Sequence, residues 1–122
     1  MTQIFRPFTA QGAVGAFRIV KQGTADQTCT LAAAVGDALI GTSDSLAKDD
    51  SEVVDVDLRA FSQVVVGGVV TRGDPLTSDA NGAAVKAAPA AGTNNRIIGF
   101  AEISGVAGDV ITYHRSPGVI QG

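Results

Sequence analysis

The sequence predicts an all-β protein, a compact barrel- or sandwich-like domain of short strands with at most one short helix. Three observations carry this. From Ala16 onward, short apolar runs alternate with turn signals, as in chains built from hairpins. Glycine reaches 15 of 122 residues, above the ordinary share of roughly 7%. The apolar content rests on Ala, Val, Ile and Leu, with aromatics at 5% and no Trp. Small and β-branched side chains of this kind suit pleated sheets and tight turns better than thick helical cores.

Taken in order, residues 1–15 read as an extended N-terminal arm and residues 16–122 as one domain, as the length predicts. The first twelve residues lack a clean period and hold Phe5 and Phe8, two of five phenylalanines. Pro7 biases Arg6 toward extended backbone. Two readings stand. Ile4 and Phe8 tuck onto the domain's own surface, or the aromatics anchor on another chain. The second makes Ile4, Phe5, Arg6, Pro7 and Phe8 a candidate contact arm, whose removal would leave the domain's own stability nearly unchanged.

Strands are expected at 17–21, 28–32, 38–42, 53–58, 63–66, 69–71, 84–88, 97–103 and 110–114. In 53–58 the alternation is clean, with Val54, Val56 and Leu58 on one face and Asp55 and Asp57 on the other. Turn signals separate the runs, chiefly Gly73-Asp74-Pro75, Asn81-Gly82 and Gly108-Asp109. Asn81-Gly82 is the strongest hairpin signal, since both central residues of a type I′ turn need positive φ. Gly36 and Pro89 limit the Ala-rich stretches near them to a helical turn at most. Residues 38–43 (ALIGTS) echo residues 96–101 (RIIGFA) at an offset of 58. The echo predicts a duplicated β-unit closing into a compact barrel.

The chemistry needed for catalysis is missing. The one histidine, His114, has no second histidine to share a metal, and Cys29 has no second cysteine. No nucleophile elbow surrounds Ser116, and no phosphate-binding glycine pattern follows a strand. Cys29 reads as a small buried hydrophobe and His114 as a surface or interface residue. Asp79-Ala80-Asn81-Gly82 lacks the terminal bidentate Glu of a calcium loop. Arg72-Gly73-Asp74 matches a cell-adhesion tripeptide but reads as a turn before a strand. The expectation is a protein that is not an enzyme, with no catalytic, cofactor-binding or metal-binding residues and no cofactor. A net charge of −3 with scattered Lys and Arg argues against a nucleic-acid partner, which requires clustered cations. No apolar run approaches 18 residues, so no membrane partner and no signal segment are expected.

An ordered series then carries a resemblance: residues 69–76 (VVTRGDPL), 77–82 (TSDANG), 96–101 (RIIGFA) and 105–110 (GVAGDV). The series resembles the C-terminal half of the small cement, or decoration, proteins of tailed-phage capsids. Residues 17–21 (FRIVK) and 37–41 (DALIG) resemble its N-terminal half, so the likeness covers roughly residues 16–118. Each element is a common strand or turn, and the specificity lies in their order. The resemblance implies a barrel-like protomer that trimerises at three-fold positions on the capsid exterior. Its partners would be the major capsid protein and its own copies, and its role would be stabilising the shell. Such a protein would be made in the host cytoplasm and end in the virion. Two other classes fit the composition: a phage tail or baseplate β-module, and a small binding domain or hydrolase. The second is poorly supplied, with one Tyr and no Trp.

Ile98 is expected to face the core. Either Ile98 points inward with Arg96 and Phe100, or Ile97 does so with Gly99, and the bulk of Phe100 favours the first. Ile98→Asp should unfold the domain by burying an unpaired charge; a thermal melt matching wild type would contradict the assignment.

Overall fold

The computed structural model describes residues 5–122, which hold ten strands and no helix. Strands β1 (Phe5–Ala10), β2 (Ile19–Gln22), β3 (Thr28–Leu31), β4 (Leu39–Ser43) and β5 (Val53–Asp57) close into a barrel in the order β1-β3-β2-β4-β5. Strands β6 (Phe61–Val65), β7 (Pro75–Ser78), β8 (Ala84–Lys86), β9 (Asn94–Ala101) and β10 (Val110–Gln121) form a second sheet, ordered β6-β10-β9-β7-β8. The chain is all-β, as its composition predicts.

The second sheet repeats the first. The antiparallel pairs β1–β5, β4–β5, β2–β4 and β2–β3 return as β6–β10, β9–β10, β7–β9 and β7–β8. The parallel pair β1–β3 returns as a single parallel bridge, Val66 to Ala84. Even the isolated bridge Val14–Lys48 has its counterpart in Val70–Gly105. The second half is therefore the same barrel with its closing seam reduced to one bridge. The sequence echo falls on β4 and β9, equivalent strands of the two units.

Several expectations along the chain change, and the last strand, expected to end at His114, runs on to Gln121. The 69–71 segment is a loop that makes only the Val70 bridge, and the strand there starts later, at Pro75. Proline is tolerated as the first residue of a strand because its missing N–H is not needed for the ladder. The arm expected over residues 1–15 also takes another form in its described part. Phe5–Ala10 is β1, registered against β5 from Phe5–Asp57 to Thr9–Val53 and against β3 at Thr9 and Ala10. Phe8 and Ala10 point into the first core, whereas Phe5, Pro7 and Thr9 face outward. Ile4 lies outside the described residues.

Each barrel has its own core. Phe8, Val14, Val20, Cys29, Ile40, Val54 and Val56 fill the first. Val64, Val66, Leu76, Ile98, Ile111 and Tyr113 fill the second, joined by Ile19 and Ala32 from the first half. The shared residues mark the seam. Strand β4 is buried on both faces there: Ile40 fills the first core and Leu39 packs on the second. Across the seam the Arg115 guanidinium donates to the Ile40 carbonyl at 3.1 and 2.7 Å. The Ile19 N–H donates to the Gly82 carbonyl at 2.7 Å, and the Tyr113 and Thr42 hydroxyls are 3.4 Å apart.

Ile98 is fully buried, as expected, but Phe100 beside it on the same expected face is 38% exposed, and Ile97 is buried too. The alternation breaks at Gly99. A Cβ there would collide with the His114 carbonyl oxygen, so only glycine lets β9 and β10 approach this closely. Gly41 does the same in the first barrel, against the Asp57 carbonyl. In both units the residue before the glycine points inward and the residue after it points outward.

Because Phe8 is 8% exposed within a closed barrel, Phe8→Ala should cost about 3–5 kcal/mol of stability. Deleting residues 1–10 should prevent folding of the first barrel. Urea denaturation of Phe8→Ala checks this, and an unchanged midpoint would show that β1 is dispensable.

Candidate docking surface

The glycine breaks set up one outward-facing row of side chains on each barrel. In the first, register places Phe5 beside Asp57, Asp57 beside Thr42 and Thr42 beside Ile19, across β1, β5, β4 and β2. In the second, Phe61, His114, Phe100 and Pro75 occupy the same places across β6, β10, β9 and β7. The two rows have opposite fates. Ile19 and Thr42 are fully buried and Asp57 is 4% exposed, because the second barrel covers them. Phe61, by contrast, is 58% exposed, and His114 is exposed beside it. Their rings stack at 5.3 Å.

At the covered row, the Arg59 guanidinium donates to both carboxylate oxygens of Asp57, at 3.0 and 2.7 Å. The guanidinium carbon lies over the Phe5 ring, 4.9 Å from its centre. This answers the buried charge of Asp57, which alternation alone had assigned to a solvent face. A pocket of about 170 Å³ opens beside it, lined by Phe5, Phe17, Asp44, Asp57, Arg59 and Gln63 among others. The arm residues are thus divided: Phe5 lies against Arg59, Arg6 and Pro7 are exposed, and Phe8 is interior. Arg6 approaches the Phe8 ring at 5.8 Å.

The turn residues singled out by sequence do structural work. In 71–74 the Asp74 N–H donates to the Thr71 carbonyl, and the Asp74 carboxylate accepts the Thr71 N–H, both at 2.9 Å. Asp109 and Val106 repeat this at 3.0 and 2.9 Å. Gly73 and Gly108 hold the third position at φ 93° and 94°, the type II requirement. Pro75 then opens β7. The Asp74 carboxylate also lies 3.9 Å from Lys86, so the adhesion-like tripeptide is consumed by its own turn. The hairpin at Asn81-Gly82 is present but is not the expected type I′ turn: only Gly82 takes positive φ, at 73°, and residues 79–83 form a longer loop between the paired Ser78 and Ala84. Asp79 holds that loop by accepting from the Asn81 and Ala83 N–H groups, and the Asn81-Gly82 tip docks on the first barrel.

The first barrel builds the same turn from other residues. In 49–52 the Glu52 N–H donates to the Asp49 carbonyl at 3.1 Å, the Glu52 carboxylate accepts the Asp49 N–H at 2.6 Å, and Ser51 takes φ 71°. Phe17, at φ 56°, stands where the second barrel has Gly73. Positive φ is costly for so bulky a side chain, and nothing in the composition marks it.

Among the described residues, no three His, Cys, Asp or Glu side chains gather as metal ligands. Burial pushes the Cys29 thiol up to about 11, away from the reactive thiolate. Tyr113 is pushed up to about 12, also chiefly by burial. Neither group is poised for proton transfer near neutrality. What the surface offers instead is shape: an open row of aromatic and apolar side chains on a rigid sheet. Sequence reasoning missed that row because Phe100 looked like a core residue. The signal was present in Gly41 and Gly99, at matching places in the two echo segments.

At the level of sequence, no family model and no curated protein matches the chain. Among solved structures it is similar to the head fiber gp8.5 N base of bacteriophage phi29, at 20% identity and a TM-score of 0.70. The match covers 98% of both chains. The two-barrel architecture is therefore shared, end to end, with a protein described as the base of a phage head fiber.

Proposed function

We propose that this chain is a structural protein of a phage head, a trimer that docks on the outer surface of the shell and stabilises it. The observation that carries the reading is the full-length likeness in fold to a phage head fiber base. The ordered cement-protein series, now seen as turns and strands of the second barrel, supports it from an independent direction. The surface chemistry agrees. Docking needs complementary shape rather than a reactive group, and rigid β-barrels provide it without a folding cost on binding. A trimer bridging several capsomers multiplies a weak contact into avidity. Net acidity favours the outside of the shell over a position against packaged DNA. The head-fiber likeness also favours a head protein over a tail or baseplate module.

The test is co-sedimentation of purified protein with DNA-free heads that lack it, beside isolated tails. Saturable binding to heads, with a rise in the heads' thermal disruption temperature, is expected. Binding to tails alone, or to neither, would contradict the proposal.

A further inference from the structure

The two barrels close their seams differently. In the first, the Thr9 N–H donates to the Gln27 carbonyl at 2.9 Å and the Gln11 N–H to the Cys29 carbonyl at 2.8 Å. The duplication puts Val65, Gly82, Gly67 and Ala84 in the corresponding places of the second. Gln27 and Gly82 even share a positive φ, at 57° and 73°. The Gly67 bond to Ala84 is kept, at 2.8 Å. The other bond is split in two. Val65 donates instead to the Phe17 carbonyl at 2.9 Å, and the Gly82 carbonyl accepts the Ile19 N–H at 2.7 Å. Residues 17–19 of the first barrel are inserted between them. We infer that this segment is a latch: it closes the second barrel, and on its release the second barrel opens while the first stays closed.

The asymmetry rests on what each barrel loses. The first barrel holds the segment by its own bonds. Phe17 N–H donates to the Asp44 carbonyl at 3.0 Å and Ser43 N–H to the Arg18 carbonyl at 2.8 Å, while the Ser43 hydroxyl accepts the Arg18 N–H at 2.9 Å. All of these survive release. The first core is also self-contained, with every member drawn from the first half. The second core is not. It counts Ile19 and Ala32 among its buried members, and Leu39 packs against it. Release therefore leaves the second barrel with a cavity, and with the Val65 N–H and Gly82 carbonyl unpaired. Both defects are costly in an interior. For the first barrel the same event uncovers Ile19, Leu39 and Thr42 but takes nothing from its core or ladder. Asp57 keeps its bonds to Arg59, which lies on the first barrel's side of β6. A unit that borrows its closure opens at a lower free energy than one that supplies its own.

Native-state hydrogen exchange on the whole chain, read by NMR at rising urea, tests this. Amides of β6, β9 and β10 should share an opening about tenfold or more easier than that of β1, β3 and β5. Two conservative variants then separate the barrels. Ile40→Val trims the first core and should speed exchange in β1, β3 and β5 alone, by roughly threefold or more. Ile19→Val trims the latch, which is lost in the first opening and in complete unfolding alike, so both groups should speed by the same factor. One common opening for all six strands, or an opening that begins in the first barrel, would overturn the inference. So would an Ile40→Val effect that reaches β6, β9 and β10, or an Ile19→Val effect confined to the first barrel.

Discussion

The architecture turns on two glycines that let a strand pass closer to its neighbour than any side chain permits. At Gly41 and Gly99 the space of a Cβ is taken by a carbonyl oxygen of the adjoining strand. The strand slips its alternation there, so an isoleucine points into the barrel and the residue two positions on points out. In the first barrel that outward residue is Thr42, which meets Tyr113 across the seam. The barrel-to-barrel contact thus depends on the break, and so does the exposure of Phe100. Replacing either glycine would push the paired strands apart.

Duplication followed by divergence explains how a chain with few large side chains holds together. Each barrel alone is small, and small domains bury too little surface to be robust. Sharing Ile19 and Ala32 with the second core, and burying both faces of β4, gives the pair more interior than two separate barrels would have. The polar contacts of the seam are mostly made to backbone carbonyls, as by Arg115 and the Ile19 N–H. Such contacts tolerate side-chain divergence. A fold held this way is compatible with dissimilar sequences, and the structural likeness reported above spans 98% of each chain at 20% identity.

Much of this was legible in the residues, and the exceptions have physical causes. Turn chemistry was the most readable, because Gly73, Gly82 and Gly108 adopt the positive φ that few other residues tolerate. The alternating β5 segment put Val54 and Val56 inside, and the echo of β4 in β9 revealed the duplication. Three features hid. Pro7 and Pro75 disguised strands β1 and β7, since proline usually argues against a strand. Phe17 hid the first barrel's equivalent of Gly73, because the turn is held by its neighbours rather than by its own preference. Asp57 looked solvent-facing until its cover, the second barrel and Arg59, was in place. Each is a tertiary effect acting on a residue whose local preference points elsewhere.

The central proposal is that this two-barrel chain docks on the outer surface of a phage head. Cryo-electron microscopy of protein-free heads incubated with the purified protein tests it most directly. The account predicts two-barrel density on the outer shell. Heads without added density would contradict it.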